Sequence, residues 1–181
     1  MKIALIIILI VTILLIGVIS YYGGFKHVEV SVKEEGGELL VYEELTGAYK
    51  NSGKLMDKIY YKLLNEDKIA TTKGFGIYYD DPGKVEESKL RSEAGCILED
   101  KDTNKVHALK EKYNIRKCAV KKYIWAEFPY KGKASVIFSL MKVYPALKGY
   151  AKEHGYYEDG AVMEIYDIPN NRIVYRKDIS K

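Results

Sequence analysis

A long uncharged apolar stretch stands at the start of the chain. No charged residue lies between Lys2 and Lys26, and residues 3–20 are almost wholly apolar. Eighteen helical residues span about 27 Å at a rise of about 1.5 Å each, close to the ~30 Å hydrocarbon core of a bilayer. Tyr21 and Tyr22 follow as aromatic residues of the kind found at membrane interfaces. Because the segment lacks the polar stripe of a soluble amphipathic helix, we predict a membrane anchor over residues 1–25.

A cleaved signal peptide is the competing interpretation of this segment. Lys2 would supply the basic end, and Val18 and Ser20 would occupy the positions before a cleavage site. The β-branched run is long for a signal peptide and no Ala-x-Ala sequence is present, which favours an uncleaved, single-pass anchor. The side on which the soluble part lies stays open, because Lys2 on one side nearly balances Lys26 and Lys33 on the other.

Beyond the anchor, alternation and turn residues predict strands interspersed with helices. The first group comprises strands at residues 28–33, 38–45, 74–79 and 91–99, with a helix from about 51 to 66 that Asn51 would cap. A connecting helix is predicted at 104–113. The order then recurs, with an extended segment at 118–130, a helix at 134–154 and strands at 161–166 and 173–176. Pro145 should kink the second long helix or mark a tight one.

This recurrence predicts an internal duplication. Tyr49-Lys50 matches Tyr130-Lys131 at an offset of 130 − 49 = 81, and residues 79–82 match residues 166–169 at an offset of 166 − 79 = 87. Each half would be strand, helix, strand, strand. We therefore predict an α+β domain over residues 26–181, with helices against an antiparallel sheet. Its repeats, about 26–100 and 115–181, would be related by a pseudo-two-fold axis with a cleft between them.

Charge and cysteine content exclude several classes of function. Without Lys2, 28 basic and 25 acidic residues give a formal charge of 28 − 25 = +3, with both signs interspersed. This balance argues against nucleic-acid binding driven by net charge. Cys96 and Cys118 are too few for a disulfide framework, and could be buried thiols or form a single bridge. The three histidines are scattered, so we expect no metal site and no cofactor.

Glu164 is the strongest candidate for a binding or catalytic residue. It is a carboxylate inside an apolar strand, where period two places Glu164 and Tyr166 on one face and Met163 and Ile165 on the other. If the apolar pair faces the core, Glu164 faces solvent or a cleft, and the duplication brings Tyr79 to it as the partner of Tyr166. Such a carboxylate could bind a cation with help from tyrosine faces. It could also act as a general base or nucleophile, or be an ordinary exposed strand residue.

These segments resemble the GyrI-like small-molecule-binding family, which also forms the effector domain of AraC- and MerR-type multidrug regulators. The resemblance covers nearly all of the soluble part. It rests on YEELTGAY at residues 42–49, GIYYDDP at 76–82 and MEIY at 163–166. It implies a duplicated strand-helix-strand-strand module with a pocket between the copies. The pocket glutamate of that family corresponds to Glu164.

The chain is also similar to the testis-expressed ER-phagy receptors, in which a membrane helix precedes a GyrI-like domain. Shared features are the anchor and the segments at residues 78–82, 94–98, 128–130 and 143–150. Those receptors carry a long disordered C-terminal tail that engages the autophagy machinery. We expect no such tail here, since Lys181 closely follows the last predicted strand, and we do not carry over a role in autophagy.

We therefore expect a membrane-anchored domain that binds a small apolar, aromatic or cationic molecule in a cleft between its repeats. Glu164 would hold the ligand, and the wall would be drawn from Tyr49, Tyr79, Trp125 and Tyr166. The expected partners are the lipid bilayer through residues 3–20, the ligand, and a possible protein, but no nucleic acid. Two alternatives stay open: a hydrolase of strained-ring toxic compounds that uses the pocket glutamate, and a scaffold that recruits a protein to the membrane.

Overall fold

The computed structural model describes residues 1–180, and the side chains of all of these except residues 100 and 101. It confirms the α+β class, with an apolar N-terminal helix followed by an antiparallel sheet and helices. The helices are α1 (Lys2–Tyr21), α2 (Ser52–Asn65), α3 (Val106–Leu109) and α4 (Lys133–Glu153). The strands are β1 (Val30–Glu35), β2 (Leu39–Thr46), β3 (Lys73–Tyr78), β4 (Arg91–Leu98), β5 (Asn114–Lys117), β6 (Lys121–Pro129), β7 (Val162–Asp167) and β8 (Arg172–Asp178).

Helix α1 has the length and composition that a membrane span requires. It is 20 residues long with a mean hydropathy of 3.3, and none of its residues is buried against the rest of the chain. The hydroxyl of Thr12 donates to the carbonyl oxygen of Ile8 at 2.8 Å. The polar group of this side chain is therefore satisfied within the helix, as an apolar surrounding would demand.

The eight strands form one sheet in the order β1-β6-β8-β7-β3-β4-β2-β5. Strand β2, helix α2 and strands β3 and β4 make up the first half, and β6, α4, β7 and β8 make up the second. The central neighbours β3 and β7 come one from each half, and all pairings are antiparallel. The strands of the two halves therefore lie side by side, with β3 and β7 adjacent at the centre of the sheet.

The outermost strands are exchanged between the halves. Strand β1 precedes β2 in sequence but pairs with β6, and β5 precedes β6 but pairs with β2. The short links of residues 36–38 and 118–120 cross each other, with Gly37 N–H donating to Cys118 O at 2.9 Å and Cys118 N–H donating to Glu38 O at 2.8 Å. A Cβ on Gly36 would lie 2.2 Å from Ala119 O, so only glycine permits this crossing. The crossing curls the sheet and brings its two ends together.

Both faces of the curled sheet are therefore covered. Helices α2 and α4 pack on the outer face over two clusters, whose fully buried members include Val41, Ile59, Leu63, Phe128, Val143, Leu147 and Tyr175. The inner face encloses a third cluster of Leu40, Phe75, Ile77, Ile97, Met163, Ile165 and Val174. Strand residues of both parities are consequently buried, so alternation does not separate core from solvent in the central strands.

Two local expectations need correction, one about the Asn51 cap and one about the connecting helix. Asn51 makes no side-chain cap. Instead a 3-10 turn over Tyr49–Asn51 leads into α2, where the Ser52 hydroxyl donates to Tyr49 O at 2.8 Å. The predicted connecting helix is only the four-residue α3, because the chain turns early to form β5. Helix α4 continues through Pro145. Cys96 and Cys118 are both free, so they form no bridge.

Candidate tyrosine-lined binding site

Glu164 lies at the centre of the molecule, in the middle of β7. Gly76 of β3 is directly opposite on one side and Tyr175 of β8 on the other. The side chain points to the outer face, beneath α4, and only 2% of the residue is exposed. Tyr144 of α4 donates its hydroxyl to Oε1 at 2.7 Å, and Tyr166 of β7 donates to Oε2 at 2.7 Å. Each carboxylate oxygen is thus held by a phenol.

Four tyrosines surround this carboxylate, and we refer to Tyr78, Tyr144, Tyr166 and Tyr175 as the tyrosine cage. They come from β3, α4, β7 and β8 respectively. Tyr78 folds over Gly76, where an added Cβ would lie 2.7 Å from the tyrosine hydroxyl oxygen. The strand residue opposite Glu164 is therefore a glycine that leaves room for an aromatic ring.

Two serines complete the polar contacts of the cage. The hydroxyls of Tyr78 and Ser52 lie 2.9 Å apart, which ties the cage to the first turn of α2. Tyr175 donates to the hydroxyl of Ser139 at 2.6 Å, which ties it to α4. Both serines are buried. The cage is consequently anchored to the helices of both halves.

A second layer of rings packs against the cage. The rings of Tyr49 and Tyr78 meet edge to face with centroids 4.8 Å apart, and those of Tyr130 and Tyr166 do so at 6.1 Å. The Tyr49 hydroxyl also accepts from the N–H of Asp80 at 3.0 Å. The 3-10 turn before α2 is thereby linked to the loop after β3, at the border of the site.

The site holds a buried carboxylate without a compensating cation. Burial raises the pKa of Glu164 above its ordinary value of 4.5, and the Tyr166 and Tyr144 hydroxyls offset only part of this rise. Among the described residues, no lysine or arginine contributes to holding the charge. Burial and the nearby Glu164 charge raise the pKa of Tyr166 and Tyr144 as well, so both phenols remain protonated donors.

The raised pKa of Glu164 has a consequence for stability. The folded protein retains a proton on this carboxyl at pH values where the unfolded chain has lost it. The free energy of unfolding therefore falls as pH rises from about 4.5 through the raised pKa, and levels off above it. The ionised form of the site is therefore destabilising, as functional sites often are.

Comparison with known proteins identifies the domain. The profile of the GyrI-like small molecule binding domain matches residues 29–175. The chain belongs to the GyrI-like family. The match leaves helix α1 outside the GyrI-like domain. No curated protein matches the chain.

Solved structures share the GyrI-like fold at low sequence identity. The C-terminal domain of EcmrR has a TM-score of 0.58 and 12% identity, covering 85% of this chain and 98% of that domain. EcmrR in its complex with DNA has a TM-score of 0.59 and 12% identity, covering 92% of this chain and 63% of that chain. SAV2435 bound to tetraphenylphosphonium has a TM-score of 0.51 and 12% identity, covering 82% and 92% of the two chains. At this identity the likeness concerns the fold alone.

The residues predicted for the site divide between the two faces of the GyrI-like sheet. Glu164 and Tyr166 lie together on the outer face, and Tyr49 lies one ring away. Tyr79 and Trp125 instead belong to the inner face, on the other side of the sheet. The structure therefore does not bring Tyr79 to Glu164. Glu164 does not face solvent either, because α4 covers it.

The two inner-face aromatics have other partners. Tyr79 donates to Glu93 at 2.6 Å, and the second oxygen of that carboxylate pairs with Arg116 at 2.5 Å. The ammonium of Lys33 lies 3.1 Å above the centre of the Trp125 ring. Tyr79 and Trp125 thus have partners within the chain, and their contacts stabilise the curled sheet without involving Glu164.

Three cage residues escaped the sequence analysis. The duplication offset matched Tyr79 with Tyr166, whereas in the structure Gly76 is the residue directly opposite Glu164. The residue two beyond Gly76 is Tyr78, which therefore shares the face of Glu164. Tyr175 lies two residues after Ile173 and so on the same face of β8, in the outer core. The alternation along this strand could therefore have indicated its position. Tyr144 follows a core position of α4, and the sequence alone gives no sign that it reaches β7.

Proposed function

We propose that this GyrI-like domain holds a small aromatic cation against Glu164, inside the tyrosine cage, at the surface of a membrane. The observation that carries the proposal is a carboxylate, 2% exposed, that accepts two phenol hydroxyls and has no cationic partner among the residues that the structure describes. Burying a single charge costs several kcal/mol even after relaxation (about 20 in the idealised limit). A cationic ligand would supply the missing opposite charge in the position where it offsets this cost best.

The surrounding rings support the choice of an aromatic cation. Faces of tyrosine rings attract cations by about 0.5–2 kcal/mol each, depending on how well the site excludes water. They also pack well against other aromatic groups. SAV2435, which shares the fold, is seen bound to tetraphenylphosphonium, a cation wrapped in four phenyl groups. The cage rings fill the space around Glu164, so the ligand would enter by displacing one or more of them.

A titration with a charged and a neutral ligand tests this proposal. We expect the full chain, held in a lipid nanodisc, to bind tetraphenylphosphonium saturably. Triphenylphosphine oxide, which is similarly aromatic but uncharged, should bind at least about tenfold more weakly, because only the cation pairs with the buried carboxylate. Isothermal titration calorimetry measures both, with empty nanodiscs as the blank for partitioning into lipid.

Two results would contradict the proposal. Equal affinity for the two compounds would show that the site selects apolar surface alone. The absence of saturable binding by either compound would remove the ligand-binding role of the cage.

The membrane part of the proposal is supported by α1. None of its residues is buried in the domain, and the family match begins only at residue 29. An apolar helix of this length, left uncovered in water, would expose far more apolar surface than soluble monomers do. A bilayer removes that surface from water, since each central leucine or isoleucine favours insertion by about 0.3–0.6 kcal/mol.

Alkaline extraction of membranes distinguishes an anchor from a cleaved signal. We expect the full chain to stay in the membrane pellet with α1 intact by mass spectrometry. In the variant Leu9→Arg a charge at the middle of the span costs about 2.5–3.5 kcal/mol and should release part of the protein. A soluble protein whose mass shows that its first residue lies beyond residue 20 would instead establish that the segment is a cleaved signal peptide.

A further inference from the structure

The first half of α4 carries an apolar stripe that no described part of the chain covers. Ile137, Leu140 and Met141 are 60%, 42% and 69% exposed, and they lie three and four residues apart on one side of the helix. Ser139 and Val143, fully buried, mark the opposite side, which packs on the sheet. Single exposed apolar residues are common, whereas three on adjacent turns of one helix make a patch.

This stripe belongs to the part of the domain that contacts the end of α1. A Cβ on Gly24 would lie 3.3 Å from the ring of Phe138, so α4 touches the chain just beyond the anchor. The ammonium of Lys131 lies 4.3 Å from the centre of the Tyr21 ring. Lys142 donates to the carbonyl oxygen of Lys26 at 2.8 Å. These contacts hold α4 close to the C-terminal end of α1 and to the residues that follow it.

The connection itself is ordered by backbone hydrogen bonds. Gly24 N–H donates to Ile19 O at 2.8 Å, and Lys26 N–H donates to Gly23 O at 3.0 Å. The chain therefore leaves α1 in a tight turn and not through a flexible linker. If α1 crosses a bilayer, Tyr21 lies at its surface, and the first half of α4 has to lie within a side chain's length of that surface.

Charge on this part of α4 is of one sign. Lys131 and Lys133 are exposed and Lys142 is half-buried, while no acidic residue occurs from residue 131 to 152. Apolar side chains flanked by lysines are the composition of helices that lie in the headgroup region. Anionic headgroups attract each such lysine.

We propose that this α4 face, comprising Ile137, Leu140 and Met141 with the flanking Lys131 and Lys133, rests on the same bilayer that holds α1. The inference depends on the anchor part of the proposed function. A second copy of the chain fits less well, because a stable dimer needs about 600 Å² or more from each partner. Three partly exposed side chains offer much less area.

Membrane contact of this face would set the entry route to the tyrosine cage. Tyr144, which donates to Glu164, is the next member of the helical series that contains Ile137, Leu140 and Met141. A lipophilic cation dissolved in the headgroup region would therefore meet the cage by moving along α4. The ligand would not have to cross water.

Tryptophan quenching in vesicles tests the proposal on the full chain. Trp125 is the single tryptophan, so Trp125→Phe provides a silent background. Met141→Trp then reports on the α4 face and Leu14→Trp on the anchor. Tyr61→Trp on α2, where the native side chain is 57% exposed, serves as the matched control. Lipids brominated near the headgroup and lipids brominated deeper on the acyl chain, used in parallel, quench only tryptophans that enter the bilayer, and circular dichroism confirms that each variant folds.

We expect at least twofold quenching of Met141→Trp and of Leu14→Trp, and none of Tyr61→Trp. Adding about one third anionic lipid should strengthen the quenching of Met141→Trp alone. Ile137→Trp repeats the measurement should Met141→Trp fail to fold.

The outcomes separate the two proposals. Quenching of Leu14→Trp without Met141→Trp would overturn the α4 contact and leave the anchor. Loss of quenching at Leu14→Trp would overturn the anchor and the contact with it. A blue-shifted but unquenched Met141→Trp would show that a second copy covers the face, and equal quenching of Tyr61→Trp would deny that this face is special.

Discussion

Replacing Glu164 with glutamine is expected to lower the affinity for tetraphenylphosphonium about 100-fold. Glutamine keeps the shape and one acceptor for the hydroxyls of Tyr144 and Tyr166, but it removes the negative charge that the cation requires. Losing one member of a buried charge pair costs 2–5 kcal/mol or more, and 100-fold corresponds to about 2.7 kcal/mol. Calorimetric titration of the variant in nanodiscs measures the change.

Glu127→Gln is the matched control, since it removes the same charge from a carboxylate that is 42% exposed and paired with Arg172 at 2.8 Å. Its affinity should equal that of the wild type. The Glu164→Gln protein should also lose the decline in stability that sets in as pH rises above about 4.5, because the group with the raised pKa is gone. A well-folded Glu164→Gln variant that binds as tightly as the wild type would refute the role assigned to this carboxylate.

Gly95→Ala is expected to destabilise the domain by about 3 kcal/mol or more. Effects of this size are typical of substitutions that force the backbone or the core to move. Gly95 lies in the middle of β4, paired with Tyr42 of β2 and Phe75 of β3. A Cβ there would lie 1.9 Å from the carbonyl oxygen of Val41, which is a backbone atom that cannot rotate away. Relief would require β2 to separate from β4. Urea unfolding of the full chain, followed by circular dichroism, gives the free energy.

Gly149→Ala makes the same change where the structure has space. Gly149 is an exposed position of α4 with nothing within 4 Å of an added Cβ. This substitution should stabilise the protein by about 0.5–1 kcal/mol, since alanine loses less backbone entropy in a helix. If the two variants had the same free energy of unfolding, the close approach of Gly95 to Val41 would not be the cause of the destabilisation.

Local patterns in the sequence were sufficient to predict most helices and strands of the fold. The predicted strand at 74–79 is β3 (Lys73–Tyr78), and the predicted helix at 134–154 is α4 (Lys133–Glu153), each displaced by one residue. Alternation, helical spacing and glycine or proline turns mark such elements locally. Strand β5 (Asn114–Lys117) has no such mark, because three of its four residues are exposed. Only its pairing with the distant β2 makes it a strand.

The site was less accessible to sequence reasoning, for reasons of register. A shift of one residue moves a strand side chain to the other face of the sheet. The choice of Tyr79 in place of Tyr78 therefore put the wrong ring beside Glu164. Trp125 was misplaced for a related reason, since nothing local reveals that the sheet curls and buries a second face. Tyr144 shows a further limit, because its hydrogen bond to Glu164 depends on how α4 packs.

The exchange of outer strands has a consequence for the origin and integrity of the domain. A half cut out by itself would keep a leading strand with no partner, and a β2 or β6 edge with no neighbour. Two separate copies of such a half could satisfy each other by trading leading strands, which is the arrangement of a domain-swapped dimer. In the fused chain the same trade occurs within one molecule. Assembly is therefore independent of concentration, and each half supplies the strand partner that the leading strand of the other half needs.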